Sequence, residues 1–114
     1  MEIKGENYNV SYDENTCSVR FSGALRLTGL KDYGHILNLL NDIADREPSK
    51  IILNLQELDF LNSSGISMLS KFVIGMRKRK SIEVVVLGSR QIPWQGKSLK
   101  NLQRLMPGLR LDLQ

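Results

Sequence analysis

Asn62, Ser63, Ser64 and Gly65 lie between an apolar run and an amphipathic one. Their types suit the head of a helix, with small polar side chains and a glycine where the first turn begins. The side chain of Asn62 or of Ser63 can accept a hydrogen bond from a backbone N–H left unpaired in a first helical turn. A helix N-terminus also favours negative charge, so a phosphate on Ser63 is tolerated there electrostatically. Gly65 has no Cβ, which lets another backbone or a partner's side chain approach closely. The stretch from Leu53 to Ile66 reads as an apolar strand, a short turn carrying Glu57 and Asp59, and a helix start.

Other reactive arrangements are incomplete. Gly96-Lys97-Ser98 matches the end of a phosphate-binding P-loop, but that motif needs a glycine where Gln91 stands. No Gly-x-Ser-x-Gly elbow surrounds Ser63 or Ser64, and His35, the single histidine, falls off the apolar stripe of its helix. A surface position suits His35 better than the role of a general base. Glu57 and Asp59 have no neighbours that complete a metal-ligand cluster. The single cysteine, Cys17, can form neither an internal disulfide nor a metal cluster. On the apolar face of a strand it reads as a small buried hydrophobe rather than a reactive thiol. The expectation is a protein without catalytic residues, metal or cofactor.

The elements that must present this corner follow from periodicity. Tyr8, Val10 and Tyr12, then Cys17, Val19 and Phe21, alternate with polar residues around Asp13-Glu14-Asn15, the pattern of a hairpin closed at Gly23. Tyr33, Ile36, Leu37, Leu40, Ile43 and Ala44 fall on one helical face, and Pro48 ends that helix. Lys50 to Leu55 is apolar on both faces, as in an inner parallel strand covered by helices. Ile66, Leu69, Val73 and Met76, widened by Met68 and Phe72, mark a second helix, and Ile82 to Leu87 a further inner strand. After a loop from Ser89 to Gly96, Leu99, Leu102, Leu105 and Met106 form a short helix. Leu109 to Leu113 then alternate as an edge strand.

The order β-β-α-β-α-β-α-β predicts one α/β domain over residues 1–114. Its sheet should be mixed, mostly parallel, with four to five strands flanked by three to four helices.

The charge balance limits the partners. Sixteen basic and twelve acidic residues give +4, a modest excess that does not favour nucleic-acid binding. No apolar run approaches the about 20 residues of a membrane span. Met1-Glu2-Ile3-Lys4 begins no signal-peptide core, so a cytoplasmic protein is expected.

Ile51 to Leu55, followed by Leu58-Asp59-Phe60-Leu61-Asn62-Ser63-Ser64-Gly65-Ile66, resembles the STAS domains, specifically the bacterial anti-sigma factor antagonists. In that family a strand ends in a short apolar turn and then Asp-Ser-Ser/Thr-Gly-Leu-Gly at the head of a helix. The resemblance covers nearly the whole chain. It implies partner switching: a serine kinase with a histidine-kinase-like ATPase fold phosphorylates the first motif serine, and a PP2C-type phosphatase reverses this. Only the bare form then binds the kinase or anti-sigma partner productively. By position that serine is Ser63, with Asn62, Ser64 and Gly65 around it.

Three departures bear on the partner. Asn62 stands where the family usually has aspartate. Gly23-Ala24-Leu25-Arg26 replaces a Gly-Glu-Leu-Asp corner, losing two acids and gaining a base. The resemblance places that corner near the partner surface, so Ala24 and Arg26, together with Ser67 and Trp94, are possible partner contacts. The loop before the third helix is also long, and a strand replaces the family's terminal helix.

A second function remains open, because some small STAS proteins serve as non-switching regulatory subunits of lipid-transporting ABC complexes. Two features would suit it. Arg77-Lys78-Arg79-Lys80 is either a solvated helix end complementing the dipole or a docking patch for an acidic partner or lipid headgroup. Trp94 is either a plug over the edge of the core or an anchor for a partner.

Overall fold

The computed structural model describes residues 1–114. Six strands form one sheet in sequence order: β1 (Glu2–Lys4), β2 (Tyr8–Asp13), β3 (Ser18–Leu25), β4 (Lys50–Leu61), β5 (Glu83–Gly88) and β6 (Arg110–Leu113). The first three are joined antiparallel, and β3 through β6 are parallel neighbours. Each parallel step is bridged by one helix: α1 (Gly29–Asp45), α2 (Ser63–Met76) and α3 (Gln95–Leu105).

Because every crossover adds its strand on the same side, right-handed connections place all three helices on one face. The burial pattern agrees. Val10, Val19, Phe21, Leu25, Ile51, Leu53, Leu55, Val84 and Val86 are buried under Tyr33, Ile36, Leu40, Met68, Leu69 and Phe72. Residues of the opposite parity include Ser11, Arg20, Asn54 and Asp112 beside Ile52, Val85 and Leu87, a mixed face that no helix covers. Arg20 pairs there with Glu57, with Nε 2.8 Å from the carboxylate.

The parallel strands are therefore covered on one side only, not on both as the apolar run at Lys50–Leu55 suggests. No helix is long and apolar enough to cross a membrane.

Four local expectations are revised. The sheet has six strands rather than four to five, because Glu2–Lys4 adds an edge strand paired with Asn9–Ser11. Gln56 to Asp59 is not a turn. The strand continues to Leu61 with an extra residue at two points opposite β3, so that Leu55, Leu58 and Leu61 all stay on the core face. Gly23 likewise does not close β3, which runs to Leu25. Its φ of 87° and the approach of Asn7 and Tyr8 backbone leave no room for a Cβ. Cys17 is half-buried at the tip of the hairpin with φ 56°, one residue before β3 rather than on its apolar face.

Candidate functional site

The motif lies where β4 turns into α2. Asn62 has extended backbone and is the cap: its Oδ1 accepts from the Gly65 N–H at 3.0 Å. The same oxygen accepts the hydroxyl of fully buried Tyr33 at 2.6 Å, and Nδ2 donates to the Leu27 carbonyl at 2.8 Å. One side chain thus joins the head of α2 to α1 and to the segment leading out of β3. Burial pushes the Tyr33 phenol above its ordinary value of 10.0, so it stays a donor across the physiological range.

The two serines differ. Ser64 is half-buried and its Oγ accepts from the Gly29 N–H at 3.3 Å, tying α2 to the start of α1. Ser63 is exposed at the first position of α2, and its hydroxyl has no hydrogen-bond partner in the chain. No acidic residue lies in the first turn of this helix. The site therefore presents a free hydroxyl beside helix N–H groups, with no carboxylate on that turn to oppose a phosphate. Ser67, one turn on, is also exposed.

Gly65 is needed by the fold itself. It is buried, and a Cβ there would lie 2.8 Å from both Leu61 Cγ and the Tyr33 hydroxyl. The close approach expected of another group is made by this chain's own residues.

Beside the motif, Asn62 N–H donates to the Leu25 carbonyl and Leu25 is in register with Leu61. Arg26 consequently comes to the same corner, exposed, with its guanidinium carbon 4.5 Å from the centroid of the Phe60 ring. Phe60, one residue from the end of β4, is 38% exposed. Ala24 is opposite Phe60 in the register. Arg26, Ala24, Phe60 and Ser63 thus share one end of the sheet. Sequence reading overlooked Phe60 because a two-residue alternation cannot be followed through the irregular pairing of Leu58 to Leu61.

Trp94 and Gln95 support the corner from the other edge. β5 pairs only with Lys50–Asn54, which leaves the later part of β4 without a strand on that side. Gln95 is fully buried and donates from Nε2 to the carbonyls of Leu55 at 2.6 Å and Leu58 at 3.0 Å. Its Oε1 accepts from the Ser89 N–H at 2.7 Å. The half-buried Trp94 packs on the core and donates Nε1–H to Leu58 at 3.1 Å. The segment expected as a loop up to Gly96 therefore already begins α3 at Gln95. Within the chain Trp94 plugs the edge, and its one donor is engaged.

The basic run also acts differently from expectation. The last turn of α2 contains no cation. Arg79 instead reaches the C-terminus of α1, where Nη1 donates to the Ala44 carbonyl at 3.1 Å and the guanidinium pairs with Asp45.

Asn62 thus caps α2, Ser63 stands bare at its first position, and the crossovers lie on one side of a mixed sheet. The STAS domain model covers residues 10–95, and the chain belongs to the STAS domain family. Two solved structures share the fold. SiaC of Pseudomonas aeruginosa has a TM-score of 0.76 at 11% identity, covering 100% of this chain and 96% of SiaC. A structure of the diguanylate cyclase SiaD in complex with its activator SiaC, also from Pseudomonas aeruginosa, gives 0.75 at 10% identity, with 100% and 99% covered. At such identities the likeness establishes the fold alone. No curated protein matches the sequence.

Proposed function

We propose that this chain is a non-catalytic, cytoplasmic partner-binding regulator of the anti-sigma factor antagonist type, switched by reversible phosphorylation of Ser63. The observation that carries this reading is the contrast between the two motif serines: Ser64 is tied to Gly29, while Ser63 is exposed and unbonded. The first part, partner binding, is supported by the STAS family match and by the similar structure in which SiaC is bound as an activator to a diguanylate cyclase. The partners implied by the switch are a serine kinase with a histidine-kinase-like ATPase fold, which doubles as the binding target, and a PP2C-type phosphatase.

The switch acts at the interface rather than on the fold. A phosphate adds roughly −1.5 to −2 charge and three acceptor oxygens. At the head of α2 it meets free N–H groups, so the domain itself keeps its structure. Against a docked partner the same charge is desolvated, which costs several kcal/mol and more than a hundredfold in affinity.

Calorimetry of the protein with a kinase or effector enzyme encoded beside it tests the reading. Wild type and Ser63→Ala should bind, and Ser63→Glu should not, all three with the same melting temperature. Equal binding by Ser63→Glu would remove the switch.

A further inference from the structure

We propose that a second docking site lies at the opposite end of β4 from Ser63, in a groove that takes an acidic peptide segment of a protein partner. The groove, of about 590 Å³, runs between the turn from α2 to β5 and the turn from α3 to β6. That volume is within the range of about 300–1,000 Å³ over which proteins hold ligands. Met76 and Ile82 form its buried floor, Met106 is more accessible, and Arg77, Arg79 and Lys80 stand along its wall.

The charges decide the occupant. Arg79 is engaged by Asp45 and the end of α1 and holds that wall in place. Arg77 and Lys80 are exposed, and neither has a carboxylate within ion-pair distance. Both lie beyond the last residue of α2, in the connecting turn. The only acidic residue lining the groove, Glu83, is in register with Lys50 of the neighbouring strand. Two unpaired cations around a concave surface with an accessible methionine fit carboxylates flanking one apolar side chain. Methionine adapts to varied apolar partners. A membrane surface fits less well, because the apolar atoms of Met76 and Ile82 lie at the bottom of a concavity and cannot insert into lipid.

The site does not depend on Ser63, so its test stands apart from the phosphorylation reading. Fluorescein-labelled Glu-Asp-Leu-Glu-Asp and its charge-reversed counterpart Lys-Arg-Leu-Lys-Arg are titrated against the full chain, with anisotropy as the readout. The acidic probe should bind and the basic one should not. The double variant Arg77→Glu, Lys80→Glu should weaken the acidic probe about tenfold or more, while Ser63→Glu leaves it unchanged. Both substituted side chains are exposed, and an unchanged melting curve verifies the fold. Equal binding of the two probes, unaltered affinity in the double variant, or capture by phosphatidylglycerol vesicles in place of the peptide would overturn the assignment.

Discussion

The hydroxyl of Tyr33 and Oδ1 of Asn62 are 2.6 Å apart, which links the core of α1 to the cap of α2. Since the Asn62 amide also donates to Leu27, the side chain is a three-way joint and not a replaceable cap. Asn62→Asp keeps both acceptor contacts but faces the Leu27 carbonyl with a carboxylate oxygen. It should cost about 1–3 kcal/mol, the usual penalty for an unpaired buried polar group. Urea unfolding measures it. A variant as stable as wild type would show that the Leu27 contact contributes nothing. The reading of Asn62 from sequence as a simple cap predicts that neutral outcome, and the geometry argues against it.

Tyr33 also sets an alkaline limit. Burial raises its phenol above 10.0 in the folded protein, so the folded state holds the proton more tightly than the unfolded chain. The resulting stabilisation is complete below pH 10 and is lost as pH rises through the folded-state pKa. Tyr12 is raised as well, chiefly by burial, and adds in the same direction. Denaturation between pH 8 and 12 should show stability falling above about pH 10. Tyr33→Phe should flatten that fall.

Gln95 fills the place of a missing strand opposite Leu55 to Leu58. Gln95→Leu removes the side-chain partner of the Leu55 carbonyl and of the Ser89 N–H, at about 1–3 kcal/mol each where water cannot enter, while the Leu58 carbonyl keeps Trp94. Hydrogen exchange should quicken at Ser89 and along Leu58 to Ser64, since this clamp braces the end of β4. Exchange limited to α3 would mean that the clamp does not support the motif.

These residues explain what was legible in the sequence. The apolar faces of α1 and α2 follow a strict helical period, and the hairpin, parallel strands and third helix each have their own local pattern. The position of Ser63 at the head of a helix required nothing more. Gln95 gave no signal, because its role depends on carbonyls about forty residues away that the irregular pairing of β4 with β3 leaves facing the edge. Glu2–Lys4 is too short to alternate visibly and is a strand only because β2 offers it an edge. Cys17 kept the parity of Val19 and Phe21, but the hairpin tip takes its backbone into a left-handed turn.

Arg26 is exposed at the corner next to Ser63, over the ring of Phe60. If that corner meets the partner, Arg26→Glu should lower affinity by about tenfold or more without altering stability, because the guanidinium is exposed and has no carboxylate partner. Surface plasmon resonance at two salt concentrations checks it, since a rim charge acts on association rate and is screened by salt.

Site localisation by mass spectrometry tests the central claim most directly. The protein is incubated with a serine kinase of the histidine-kinase-like ATPase fold and ATP, digested, and the phosphopeptide spanning Phe60 to Lys71 fragmented. The account predicts phosphate on Ser63, unchanged in Ser64→Ala and absent in Ser63→Ala. Phosphate mainly on Ser64 or Ser67, or none at all, would contradict it.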